Sequence, residues 1–404
     1  MSWNKNNVNK NLNLFRSYGA FRSLDFTRGL FLVYLLESGI SNSEVGILQM
    51  VLFFSTFLLE VPSGIMADKF KRKFSLILGS FLLMSSYFLY LWADSFWQYL
   101  IIFFLMGASF ACQSGADSAL LFDGLKEVSD DWVKKYTKII GSNYSIFTIA
   151  TTIAMVSAGF IYEIDKKLIF LISGSCALIS LIIVFFLNES DHKKSDKAEE
   201  TIGVIESIKI FLKSNKGKSL YYFILGMALI EAFHTPFFIF SQKLFLEAGI
   251  NKKDISMLLA LSFFLSAIGM HFSGKIIVKN KMKVITGVVL SLVFACFLFS
   301  ITTNIIGLVL LFLFVQVVPN MLFVHTDEYI MNQCDSKIRA SLISVSSLTN
   351  SVFIGVSYTL MGFSIDANGI FVTLSLLGGV LLFTPLFFIL HIRKGCVDES
   401  YQAA

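Results

Sequence analysis

Apolar runs long enough to cross a bilayer recur along almost the whole chain, separated by short polar or charged breaks. Read between those breaks, the runs place spans at about 14–36, 43–67, 74–94, 97–122, 136–162 and 167–188, and a second set at about 219–246, 254–278, 283–303, 305–332, 339–363 and 368–391. Each has about the 20 residues that a helix rising 1.5 Å per residue needs to cross roughly 30 Å of hydrocarbon. Open sheets are excluded there, because backbone groups left unpaired in lipid cost several kcal/mol each. The pattern therefore predicts an all-α membrane protein with twelve transmembrane helices in two pseudo-symmetric six-helix bundles.

The stretch from Glu189 to Lys218 is the one long, highly charged interruption, with His192, Lys193, Lys194, Asp196, Lys197, Glu199 and Glu200. It divides the chain into an N-terminal bundle (1–188), a cytoplasmic linker (189–218) and a C-terminal bundle (219–404). With the N-terminus inside, about 26 of the 33 Lys and Arg lie on the cytoplasmic side, among them Lys134 and Lys135, and only about five lie outside. Those five are Lys166, Lys167, Lys243, Lys252 and Lys253. The asymmetry predicts cytoplasmic termini and a bacterial-type cytoplasmic (inner) membrane. Residues 1–13 are polar and lack a small-residue cleavage site, so the first span is expected to direct insertion.

Composition excludes the other large classes. With 55% hydrophobic residues, 43 Phe and a mean hydropathy of +0.72, a soluble fold would expose large apolar patches. The formal charge of +5 resides in loops and reads as a topology signal, with no nucleic-acid partner. Cys112, Cys176, Cys296, Cys334 and Cys396 fall in spans or in segments expected in the cytosol, so five free thiols are expected. His192, His234, His271, His325 and His391 are dispersed, no His-Glu-x-x-His spacing occurs, and no phosphate-binding Gly-x-x-x-x-Gly-Lys-(Ser/Thr) loop is present, so neither an enzyme nor an ATP-driven pump is expected.

The two halves align at a fixed offset of 210 residues, the separation of Gly64 and Gly274. On that offset Lys69, Lys71 and Lys73 fall on Lys279, Lys281 and Lys283, and Asp117 falls on Asp327. Duplicated halves suit alternating access, in which one bundle rocks against its counterpart around a site near the midplane.

Span two ends in Glu60-Val61-Pro62-Ser63-Gly64-Ile65-Met66-Ala67-Asp68-Lys69-Phe70-Lys71-Arg72-Lys73. This resembles the signature loop of the major facilitator superfamily, Gly-x-x-x-Asp-(Arg/Lys)-x-Gly-(Arg/Lys)-(Arg/Lys). Gly64, Asp68, Lys69, Arg72 and Lys73 match, while Lys71 stands where the family usually has glycine. The span count, the linker and the degenerate second copy extend the resemblance over essentially the whole chain. The resemblance implies a conformational latch in which Asp68 pairs with a basic residue, Asp123 serves as a second anion for Arg72, and Arg339 supplies a cation from the other half. The plain alternative is that these charges snorkel and set topology. The stretches Glu60 to Gly64 and Ser114 to Asp123 resemble an efflux-type branch. The Arg of span four and the Gly-Pro pair of span five that drug/proton antiporters carry are missing, since Phe103 to Gly107 and Val156 to Gly159 stand there.

Ionisable groups at membrane depth cost at least about 2.5–3.5 kcal/mol each, so each asks for a partner or a task. In span one Arg22, Asp25 and Arg28 recur every three residues and are expected to form one Arg-Asp-Arg cluster, either a proton or anion site or a neutralised structural group. In span seven Glu231 and His234 share a face, with Pro236 expected to open the helix locally, and could exchange a proton near neutrality. Glu60, Asp117, His271, His325, Asp327 and Glu328 lie in the cytoplasmic halves of their spans and could line a path to the cytosol.

The expectation is a monomeric secondary transporter with no cofactor, driven by a proton gradient and exporting a hydrophobic or amphipathic small molecule. The alternatives are a proton-coupled uptake symporter for a sugar or amino acid and a non-transporting receptor.

Overall fold

The computed structural model describes residues 7–128, 131–189, 214–275, 281–332 and 336–392, and among them every regular element is helical. In the first half these are α1 (Val8–Ser23), α2 (Phe31–Glu37), α3 (Asn42–Phe70), α4 (Arg72–Leu89), α5 (Phe96–Gln113), α6 (Ala116–Val128), α7 (Trp132–Ile164) and α8 (Leu168–Phe186). In the second they are α9 (Asn215–Glu247), α10 (Lys252–Ser273), α11 (Lys281–Ile301), α12 (Ile305–Asn332), α13 (Ser336–Asn368) and α14 (Ile370–Leu381). Among the described residues, ten helices are long and apolar enough to cross a membrane. The other two expected spans are the first, which is broken, and the third, α4. The linker residues 190–213 lie outside the described part.

Span one corrects the sequence expectation of a single helix. α1 ends at Ser23 and α2 begins at Phe31. In between, Asp25 Oδ1 accepts hydrogen bonds from the Thr27 amide at 3.0 Å and the Thr27 hydroxyl at 2.5 Å. This turn competes with helical pairing, as short polar side chains do. The backbone groups it frees find partners on other helices: Phe26 N donates to Ser173 Oγ at 3.0 Å, and Thr151 Oγ1 donates to Ser23 O at 3.1 Å. Such satisfaction by neighbours is what makes broken backbone tolerable at membrane depth. Span seven behaves oppositely, since α9 runs unbroken through Pro236.

The 210-residue offset reappears in backbone detail. Gly39 and Gly249 both adopt positive φ, +84° and +77°, and each ends a helix. Ile40 N donates to Leu35 O at 3.1 Å, and Ile250 N donates to Phe245 O at 3.0 Å. The next helix then starts with a side-chain cap in both copies: Ser41 Oγ accepts from Glu44 N, and Asn251 Oδ1 accepts from Asp254 N at 2.8 Å. Glycine closes each helix because it alone takes positive φ without Cβ strain, and the caps satisfy otherwise orphaned amides.

The chain forms two compact units, Met1–Lys194 with Phe245–Phe264, and Ser195–Leu244 with Leu265–Ala404. In the first, α4 packs between α5 and α8, and α3 lies along α5. At the end carrying the basic loop, Phe15, Tyr18, Leu76, Leu120, Leu121 and Val184 form an apolar cluster. Towards the opposite end Tyr34, Tyr90 and Phe170 stack, with Tyr90 and Phe170 ring centroids 4.3 Å apart. In the second unit Phe237 lies between Phe233, Phe299 and Phe312. Leu58, Phe81, Phe185, Phe294 and Leu360 are exposed, as a lipid solvent allows, and Trp92 and Trp97, on either side of the α4–α5 turn, are exposed too.

Candidate functional site

The basic loop is a sharp joint. α3 stops at Phe70 and α4 starts at Arg72, so Lys71 alone turns the chain, at φ 88° and ψ 146°. That region is open almost only to glycine, so the backbone at the position where the family has glycine adopts a glycine conformation although lysine occupies it. Two anions hold the joint. Arg72 pairs with the Asp123 carboxylate and donates to Ala119 O at 2.6 Å, tying α4 to α6. Glu189, just beyond α8, accepts from Arg72 N at 2.7 Å and Lys73 N at 3.3 Å, placing a carboxylate on the positive end of α4. Lys73 Nζ donates to Phe185 O at 2.7 Å, and burial lowers its pKa while the nearby Glu189 charge opposes that shift. Lys69 lies over the Phe70 ring, and Gly64 sits in open space, where a Cβ would meet nothing within 4 Å. The side chains of Asp68, Asp327, Glu328 and Arg339 lie outside the described part of the structure.

Of the expected Arg-Asp-Arg cluster of span one, Arg22 lies on α1 and is paired with Asp117, while Asp25 and Arg28 lie in the break that follows. Arg22, on α1, pairs with Asp117 at 3.3 Å, and Asp117 Oδ1 also accepts from Ser118 N at 2.6 Å at the start of α6. Asp25 holds the break through Thr27, with the buried Tyr87 hydroxyl also within its reach. Arg28 lies over the Phe263 ring, 5.3 Å from its centroid. Beside Arg22, Tyr18 OH donates to Gln113 Oε1 at 3.1 Å, and Gln113 Nε2 donates to Ser109 Oγ at 2.8 Å. Glu60 is half-buried one turn above Gly64.

In the second unit Glu231 and His234 look towards different helices. His234 is 8% exposed; its Nε2 lies 3.2 Å from Gln316 O and 3.3 Å from Asn320 Nδ2, both on α12. Asn320 Nδ2 also reaches Ser266 Oγ of α10. Glu231 instead lines a pocket of about 280 Å³ with Ser346, Ser347, Asn350 and Ser351 of α13, beside Ile330 and Ile354. The Oδ1 atom of Asn350 is buried without a hydrogen-bond donor.

A third charged group lies at the end opposite the basic loop. Glu37, the last residue of α2, accepts from Tyr162 OH at 2.8 Å, is ion-paired with Lys252, and has Lys166 Nζ at 3.9 Å. Burial pushes its carboxyl up, but the hydrogen bonds from Lys252 and Tyr162 and the two lysine charges outweigh burial and bring it below the ordinary value. Close by, Gly159 lets α7 approach α10: a Cβ there would lie 2.7 Å from Lys253 Cα.

Sequence reading missed Gln316, Asn320, Asn350 and Glu37. A signal existed for the first two, an amide pair spaced i, i+4 within an apolar span. Asn350 sits among serines that read as packing positions, and Glu37 was passed over at a span boundary. No group of three or more His, Cys, Asp or Glu able to hold a metal occurs among the described residues.

Comparison with known proteins fits this architecture. The family model of the Major Facilitator Superfamily matches residues 20–358. An uncharacterized transporter of Buchnera aphidicola, BU466, is 25% identical over 331 residues, 80% of each chain. The uncharacterized MFS-type transporter YxaM of Bacillus subtilis is 22% identical over 263 residues, 63% of each chain. Among solved structures, a bacterial homolog of the human lysosomal transporter Spinster, in an inward-facing and unoccupied conformation, superposes with a TM-score of 0.76 at 16% identity, covering 98% of both chains. The nucleoside transporter NupG gives a TM-score of 0.71 at 13% identity, covering 95% of this chain and 99% of its own. At these identities the two structures speak for the fold alone.

Proposed function

The chain belongs to the Major Facilitator Superfamily, and on that premise we propose that it is a proton-coupled secondary transporter exporting a small amphipathic molecule across the cytoplasmic membrane by alternating access. Both termini lie in the cytosol, the chain acts as a monomer, and the proton gradient is its only energy source. The observation that carries this reading is the placement of Glu231 on the wall of a pocket otherwise lined by hydroxyl, amide and isoleucine side chains. A carboxylate there can hold a proton or face a substrate, and the competition couples the two. Asp25 is engaged in the span-one break and Asp117 with Arg22, and the coupling role falls to Glu231 through its place in this wall. The joint at Lys71, with Arg72 on Asp123, serves as the latch of one conformational state, and Asp68 and Arg339 belong to the same device.

The hydrophilic lining also favours a second reading, uptake of a polar nutrient such as a sugar or amino acid together with protons. Proteoliposomes with an imposed pH gradient separate the two. Proton entry opposite to movement of an amphipathic solute supports export, proton movement accompanying a sugar or amino acid supports uptake, and no coupled flux for any solute removes both.

A further inference from the structure

We propose that Lys134, Lys135 and Lys138, at the start of α7, form a binding surface for the headgroup of an anionic phospholipid. The inference goes beyond the transport reading and is independent of what the protein carries. It rests on the order of side chains along one face of α7. Ile149, Ile153, Val156, Phe160 and Ile164 are exposed and recur at helical spacing, so they form one apolar stripe. Ala154, Met155, Ala158 and Tyr162, on the opposite face, are buried. Followed back towards the helix start at about 3.6 residues per turn, the stripe passes through Ser145, Ser142, Lys138 and Lys135, with Lys134 on its flank. The three lysines are exposed. The stripe thus runs from cations through hydroxyls to hydrocarbon side chains, the order of phosphate, glycerol and acyl chain in a phospholipid.

Depth agrees with that order. Ser145 and Ile164 are about 29 Å apart along the helix, close to the roughly 30 Å of a hydrocarbon core. Lys138 lies about 10 Å beyond Ser145, and Lys134 and Lys135 about 15–17 Å beyond it. Long lysine stems bend back towards the headgroup layer, and the remaining gap is within the reach of a membrane surface potential, about one Debye length. Ile139 belongs to the apolar cluster at the end carrying the basic loop, so the lysines meet the leaflet at that end.

Charge is ordered along the same axis. From Ile139 to Tyr162 the helix carries no charged residue. The acids nearest in sequence, Glu127, Asp130 and Asp131, all precede the lysines. Asp131 sits about 6 Å further from the span than Lys135, so a headgroup approaching from the bilayer meets the cations first. Among the described residues the ion pairs involve other side chains, Arg22, Arg72, Lys166 and Lys252. Orientation in the membrane asks only for positive charge at one end; three lysines in line with a lipid-facing stripe further predict selection among lipids by headgroup charge.

The test is native mass spectrometry of the full chain in neutral detergent micelles, titrated separately with palmitoyl-oleoyl phosphatidylglycerol and palmitoyl-oleoyl phosphatidylcholine. The two lipids share their acyl chains and differ in net headgroup charge. The first phosphatidylglycerol should bind at least about tenfold tighter than the first phosphatidylcholine, the equivalent of about 1.4 kcal/mol. The triple variant Lys134→Gln, Lys135→Gln, Lys138→Gln should bring the two within about twofold. Lys134→Arg, Lys135→Arg, Lys138→Arg should keep the preference, and Lys167→Gln, at the opposite end, should leave it unchanged. Equal binding of the two lipids to the wild type, or an undiminished preference in the Gln triple, overturns the proposal. So does free glycerol 3-phosphate binding as tightly as the lipid, which would make the surface a site for soluble phosphates. Should the Gln triple fail to fold, Lys138→Gln, expected to lower the preference severalfold, and the wild-type comparison still decide it.

Discussion

The Tyr162 hydroxyl donates to Glu37 Oε2 at 2.8 Å, joining the end of α2 to the end of α7. Lys252, at the start of α10, and Lys166 approach the same carboxylate. Four side chains from three stretches of the sequence thus converge at the end of the first unit opposite the basic loop.

This group should be pH-sensitive in one direction. Because the folded protein holds Glu37 below its ordinary value of 4.5, its contribution is complete above that value and fades as the pH falls through the lowered one. Wild-type protein should melt at a higher temperature than Glu37→Gln at pH 7, and the difference should shrink as the pH falls below the ordinary carboxylate value of 4.5. A pH-independent difference would show that the carboxylate's charge is not what holds the group together.

At the basic loop Lys71 carries backbone strain of about 1–3 kcal/mol. Glycine would relieve it but give back about 0.5–1 kcal/mol through greater freedom of the unfolded chain. Lys71→Gly should therefore raise the melting temperature and Lys71→Ala should not. Equal shifts for the two would mean that loss of the lysine charge, and not relief of φ 88°, is responsible.

Arg72 pairs with Asp123 at the joint, and the proposed latch gives Asp68 as its companion. Neutralising Asp123 or Asp68 to Asn should slow turnover about tenfold, near 1.4 kcal/mol of barrier, while leaving the half-saturating substrate concentration within about twofold. Initial-rate kinetics in proteoliposomes distinguish this from a loss of binding, which would raise that concentration and spare the maximal rate.

Much of this architecture was legible in the sequence. Apolar run lengths gave the spans, and the match of Gly64 with Gly274 pointed to a duplication that the paired turns at Gly39 and Gly249 repeat in their hydrogen bonds. The break at Asp25 was not legible. It depends on Ser173 and Thr151, more than 120 residues away, accepting or donating the bonds that a helix would have made. Periodicity sees only local pairing, so Arg22, Asp25 and Arg28 looked like one face. The Glu231 pocket was half legible: a carboxylate within an apolar span stood out, but its lining comes from small polar residues of α13 that serve equally well to pack helices.

Arg22 and Asp117 form a half-buried pair between α1 and α6. Removing either partner should cost about 1.5–3 kcal/mol, as for hydrogen bonds to charged groups. In a double-mutant cycle with Arg22→Gln and Asp117→Asn, the coupling should lie between about 0.5 and 3 kcal/mol. Strict additivity in melting measurements would show that the two residues act independently.

The most direct measurement of proton coupling is flux by Glu231→Gln in proteoliposomes with an imposed pH gradient, with lumenal pH and solute followed together. Coupling through Glu231 requires gradient-driven solute movement and the matching proton flux in the wild type, and the loss of both in a variant that inserts and purifies normally. Wild-type coupled flux in Glu231→Gln would contradict it and move the coupling group elsewhere in the chain.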